Sequence, residues 1–218
     1  MQQRLIVEGK DGLAIASLLE KRNLPPPTGY ESKTKFRKFI KSVGGINNVN
    51  EALDEEITSQ DVKRIGVIID ADDKGISNRL DSIKNILLAR FPNYKIITET
   101  TNGAHYKISE DAQVSIWVMP NNESNGYLEH FLATLIPYNL NDVWTYATNA
   151  IDIYLDQKYA SISNTKIQKA KLHTYLALME NPGLPFGTAM KSNYFDAGHP
   201  NADLLEEWFK NAFILEDQ

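Results

Sequence analysis

The chain has 218 residues, 42% of them hydrophobic and 23% charged, with a formal net charge of −5. This supplies enough apolar side chain for a real core, and the acidic balance argues against a protein that coats nucleic acid through overall charge, leaving only a local patch to grip a phosphate backbone. No cysteine is present, which excludes a disulfide framework and a thiolate metal site and leaves oxygen or histidine ligands for any metal.

Residues 4–9 (RLIVEG) read as a short strand, and 11–23 (DGLAIASLLEKRN) as a helix with Leu13, Ile15, Ala16, Leu18 and Leu19 close to one stripe. The three prolines of LPPPTG then break the chain. The following segment, SKTKFRKFIK, carries Lys33, Lys35, Arg37, Lys38 and Lys41 within ten residues. As an extended second strand it would place Lys33, Lys35 and Arg37 on one face, a candidate nucleic-acid patch; a solvated strand or helix face is the plainer alternative. INNVNEALDEEI suggests a short helix. RIGVIID (64–70) is the clearest strand, an apolar run of the kind covered on both faces and therefore parallel.

SNRLDSIKNILLARF (77–91) gives the next helix, VSIWVMP (114–120) a strand stopped by Pro120, and YLEHFLATLI (127–136) a helix after the polar loop NNESNG. From there the chain reads as helical. NDVWTYATNAIDIYLDQKYA, TKIQKAKLHTYLALMEN and NADLLEEWFKNAF are amphipathic, separated by NPGLPFG and DAGHP. The expected architecture is α/β, a mostly parallel sheet flanked by helices over residues 1–136, with a helical extension over 137–218 packed on it as part of one unit. No apolar run approaches the roughly 18 residues of a membrane span, and the opening MQQRLIVEGKDG reads as a strand rather than a cleavable signal, so a cytoplasmic setting without a membrane is expected.

The acids collect at one edge of this sheet. Glu8 ends the first strand, Asp70 and Asp72 end the central one, and Glu129 follows the 114–120 strand at the start of a helix. Open parallel sheets bind ligands beyond the carboxyl ends of their strands. If the strands are neighbours, two bare carboxylates about 4 Å apart repel by roughly 4 kcal/mol at an effective dielectric near 20. Such a cluster needs protons or a cation, and oxygen-only ligation suits Mg²⁺ or Mn²⁺. Each acid alone has a plainer role: Asp70 or Asp72 could cap the following helix, and Glu8 could pair with Lys10. An EF-hand reading of DADDKGISNRLD fails, because Lys74 stands at the fifth position and Asp81 replaces the bidentate Glu.

Other residues carry less. His173, in KLHTYLAL, reads as a packing residue beside Leu172, Leu176 and Leu178, and His105, His130 and His199 are too scattered for a zinc site. Trp117, Trp144 and Trp208 read as core rather than a base-stacking platform. No G-x-x-x-x-G-K-[ST] loop occurs.

LIVEGKDG followed by GVIIDADDKG resembles the Toprim domain, the catalytic fold of topoisomerases, primases and repair-associated nucleases, marked by a Glu after the first strand and an Asp-x-Asp after a later one. VSIWVMPNNESNGYLEHFL, KAKLHTYLALMENPGLPFGTAMKSNYFD and LLEEWFKNAF extend the likeness over essentially the whole chain, to small stand-alone Toprim-like proteins related to the nuclease half of the OLD (overcoming lysogenisation defect) proteins. The resemblance implies that Glu8 is a metal ligand or general base and that Asp70 and Asp72 hold Mg²⁺ or Mn²⁺. For a second metal it implies Glu129 and an acid four residues after Glu8; that position is Gly12, with Asp11 one earlier. It also implies a lysine, for which Lys171 is the candidate, with Lys166, Lys169 and Lys191 competing. The implied activity is metal-dependent cleavage of DNA or RNA, in phage defence or nucleic-acid repair. The alternative is a non-catalytic or partner-dependent subunit working with a separate ATPase, since the chain lacks a phosphate loop of its own.

Overall fold

The apolar run around residue 67 forms β3 (Val62–Asp70), at the heart of a six-stranded sheet that also contains β1 (Gln2–Glu8), β2 (Ile40–Val43), β4 (Lys95–Thr100), β5 (Gly103–Lys107) and β6 (Gln113–Met119). The strand order is β2-β1-β3-β6-β5-β4. The computed structural model describes residues 2–9, 12–25, 27, 30, 38–59 and 62–214. β1, β2, β3 and β6 run parallel, while β5 pairs antiparallel with both β6 and β4. The fold is therefore the mixed α/β arrangement expected, a mostly parallel sheet flanked by helices and closed by a C-terminal helix.

Two details differ from the sequence reading. β2 lies at Ile40–Val43, and Lys38 and Phe39 just before it are helical rather than extended. The β4–β5 hairpin was not expected. Five of the six β4 residues are exposed, so that strand lacks the buried apolar alternation that would have marked it.

The helices are α1 (Gly12–Lys21), α2 (Ile46–Thr58), α3 (Ile76–Arg90), α4 (Leu128–Ala133), α5 (Asn141–Leu155), α6 (Ile167–Ala177), α7 (Phe186–Lys191) and α8 (Asp203–Phe213). Among the described residues no helix is long and apolar enough to cross a membrane. Side chains alternate across the strands and so build two cores. On one face Leu5, Val7, Ile68, Trp117 and Met119 meet α1, α4, α6, α7 and α8. On the other Ile6, Val67, Ile69, Ile116 and Val118 meet α2 and α3. The helices after residue 137 thus share one apolar cluster with the sheet.

Gly66 makes one close approach of helix to sheet possible. A Cβ there would lie 2.5 Å from the Phe213 ring, so the missing side chain is the space that α8 fills. The end of α8 leaves carbonyls without helical partners, and the sheet supplies donors. Arg64 Nη1 donates to the Ala212 carbonyl at 3.0 Å, Gln113 Nε2 to that of Asn211 at 3.4 Å and Gln3 Nε2 to that of Phe213 at 3.5 Å.

Candidate functional site

β1 and β3 are adjacent and parallel, with Val7 level with Ile68, so Glu8 and Asp70 emerge side by side at the carboxyl edge of the sheet. Glu8 Oε2 accepts the Asp70 N–H at 3.1 Å. The chain then turns through Asp72, whose φ of 49° is left-handed, a region that non-glycine residues occupy reluctantly and Asp or Asn least so. The turn is fastened by the Asp72 N–H, which donates to the Gly126 carbonyl at 2.9 Å. Asp70 Oδ1 accepts the N–H of Leu128, the first residue of α4, at 3.1 Å. A capping role for Asp70 is thus real, but for α4 rather than for the following helix, α3, which starts after Gly75 without a side-chain cap.

Glu129, in the first turn of α4, is buried, and its Oε1 lies 3.2 Å from Lys169 Nζ. Asp72 Oδ2 is held by Arg79 Nη2 from the first turn of α3. Arg79 is only 4% exposed, and its Nε has no hydrogen-bond partner. Sequence reasoning missed this residue. A signal existed: a cation in the first turn of a helix opposes the helix dipole, so it calls for a specific anion.

The electrostatics join these acids into one site. Burial first, then the Glu8 and Asp72 charges, push the Asp70 carboxyl up to about 8, against the Leu128 N–H that favours its charged form; Glu129 adds to the rise. Burial also raises Glu8, opposed by the Asp70 N–H and by Arg79 and reinforced by Asp72. The Tyr127 phenol is raised by burial and then by Asp73, Asp72, Glu129 and Asp70, which makes it a further neighbour that sequence reasoning did not find. Among the described residues, no three His, Asp or Glu side chains are arranged around a common point as metal ligands. Each of the four acids leans on an internal donor. Their chemistry nevertheless fits a hard divalent cation: all four offer oxygen, none is near a thiolate, and their mutual repulsion is the quantity such an ion relieves.

The remaining candidates are placed as follows. Lys171 pairs with Asp152 of α5 at 2.7 Å, so the lysine that reaches the acids is its competitor Lys169. Two residues apart on a helix point to different sides, so Lys169 and Lys171 cannot both face Glu129. Lys191 pairs with Glu20 at 2.9 Å. Asp11, like Lys10, lies outside the described residues, as do Lys33, Lys35 and Arg37. Of the basic segment, Lys38 is exposed, while Lys41 is engaged by Glu55 at 2.9 Å and Glu56 at 3.6 Å. A Cβ at Gly12, where the resemblance implies an acid, would lie 2.3 Å from Ser42 Oγ, so a side chain there would require Ser42 to move. His173 stacks on Phe186 with ring centroids 5.2 Å apart, and Trp117 and Trp208 are core residues 6.2 Å from each other.

No curated protein and no solved structure matches the chain. A family model does, over residues 2–214, and by that match the chain belongs to the family described as "Protein of unknown function (DUF3226)".

Proposed function

We propose that the protein is a Mg²⁺- or Mn²⁺-dependent phosphodiester-cleaving enzyme, a nuclease acting on DNA or RNA in the cytoplasm through a Toprim-like site. One observation carries the reading: at the carboxyl edge of a parallel sheet, burial and three neighbouring acids push Asp70 up to about 8. Partly buried, mutually repelling carboxylates at the ligand-binding edge of such a sheet are a signature of functional sites. Glu8, Asp70, Asp72 and Glu129 would hold the ion, which when bound supplies a polarised phosphate and a more acidic water. Glu8, already raised by burial, is suited to accept a proton from that water. Arg79 and Lys169, paired with Asp72 and Glu129, add positive charge beside these acids.

The test is cleavage of single- and double-stranded DNA and RNA with Mg²⁺ or Mn²⁺, beside Asp70→Asn and Asp72→Asn. Metal-supported cleavage by wild type, lost in both variants while their circular dichroism stays native, is the expected result. Wild type that cuts none of the four substrates with either metal overturns the reading for the isolated chain. A partner-dependent form of the same activity draws support from the internal donors that hold the four acids apart. In that form cleavage appears only when a separate ATPase is added.

A further inference from the structure

Helix α6 bounds a recess of about 420 Å³, lined by Ser161, Ile162 and Ser163 of the loop before it and by Lys166, Lys169 and His173. The helical period explains the grouping: positions 166, 169 and 173 fall on one side, whereas Lys171 is rotated away toward Asp152. Lys169 belongs to two places, because its Nζ also lies 3.2 Å from Glu129 Oε1. The recess therefore adjoins the acidic edge. Among the described residues no carboxylate lines it, and Lys166 has no acid partner. In a chain of net charge −5, this is the local excess of positive charge that gripping a phosphate backbone requires. Of the basic segment before β2, by contrast, Lys41 is already engaged by Glu55 and Glu56.

The recess also presents aromatic surface. The exposed His173 ring stacks on Phe186, with planes 26° apart. Phe186 is buried in the core and takes one face of the imidazole, which leaves the other toward the recess that His173 lines. At the loop wall the Ser161 N–H donates to Tyr154 Oη at 3.2 Å, and Tyr154 packs against Tyr159, which is 73% exposed. Exposed rings interleaved with lysines match unpaired bases and their phosphates. A duplex hides its base faces and gains nothing from such rings.

We propose that this recess binds single-stranded nucleic acid, with Lys166 and Lys169 on the phosphates and a base stacked on His173, and that it leads the strand to the acidic edge. The proposal rests on the nuclease reading above only for the fate of the strand; binding itself needs no metal.

The experiment measures fluorescence anisotropy of labelled oligothymidylate with the full chain in chelator, beside its duplex with oligoadenylate, at several salt concentrations. Wild type is expected to bind the single strand about tenfold more tightly than the duplex. Lys166→Gln should lower the slope of log affinity against log salt by about 0.7, the loss of one phosphate contact. His173→Ala should weaken binding roughly fivefold or more. Absence of single-strand binding, or a duplex bound as tightly, overturns the proposal, as does displacement of the strand by about 1 mM inorganic phosphate, the mark of a free-anion site. Unchanged slope and affinity in the two variants overturn it as well, and leave the nuclease reading standing if wild type cleaves with metal. The expected binding without cleavage under any metal upholds the recess and removes the nuclease reading. Should His173→Ala lose its fold with the Phe186 contact, the salt slope of Lys166→Gln decides alone, since Lys166 lies at the surface.

Discussion

Asp72 combines two demands in one residue: a left-handed backbone and a negative charge against Arg79. Asn satisfies the first and still offers an oxygen to the guanidinium, whereas Ala satisfies neither. Asp72→Asn is therefore expected to melt within a few degrees of wild type, and Asp72→Ala to lose about 1–2 kcal/mol more, as read by urea unfolding. Asp70 gives a pH signature. Its folded value of about 8 stands above the ordinary 3.8, so the folded state holds a proton that the unfolded state releases in between. In chelator, the stability from this group is full below about pH 4, falls as pH rises toward 8, and is flat above. Asp70→Asn has no proton to lose, so the stability of the variant relative to wild type should climb across that window and then level off. A difference that stays constant from pH 4 to pH 9 would contradict this account of the carboxyl. Glu8, Asp70 and Asp72 could be found from sequence because each follows an apolar strand whose direction is implied by its uniform burial. Arg79 gave only the weaker signal of a cation in the first turn of a helix, and an arginine in a helix ordinarily reads as surface; the packed structure reveals that it points inward.

At the scale of elements, β5 and β6 carry a buried polar pair under α8. His105 Nδ1 lies 2.8 Å from Ser115 Oγ, and Gln113 Nε2 donates to the same oxygen at 2.8 Å. Burial, and secondarily the Arg64 charge, push His105 from 6.5 down to about 4. Between those values the unfolded chain takes up a proton that the folded one refuses. Stability from His105 is thus present above about pH 6.5 and is lost as pH falls toward 4, by up to roughly 3 kcal/mol. His105→Gln should show a shallower decline over that range in parallel denaturation curves, and an identical decline would dissociate His105 from the acid sensitivity. The hairpin that carries this histidine escaped the sequence reading because β4 is an exposed edge strand, without the alternation that buried strands show. Choosing between Lys169 and Lys171 required the rotational phase of α6 against α4, and sequence gives a helix's period more readily than its phase.

For the molecule as a whole, the contact of α8 with β3 joins residues far apart in sequence. Gly66→Val would drive a branched side chain into the Phe213 ring. Overpacking of this kind typically costs about 1–3 kcal/mol, so the variant should melt several degrees below wild type, with the change read in near-ultraviolet circular dichroism from the adjoining Trp208. An unaltered melting temperature would show that α8 can shift without loss. The α/β architecture was visible from alternating strands and helices, but the seat of α8 was not. A glycine in a strand announces that something comes close, and only the fold says what.

That closure also bears on how the protein is made. Leu5, Val7, Ile68 and Trp117 belong to the same apolar cluster as Leu205, Trp208, Phe209 and Phe213, so the part of this face that α8 covers is translated long before α8 itself. At a ribosomal pace of about 5–20 residues per second, that part waits several seconds for its cover. During this interval the nascent chain presents a sticky surface of the sort that holdase chaperones recognise. The acidic edge, assembled from β1, β3, α3 and α4, can take shape before the last helix leaves the exit tunnel.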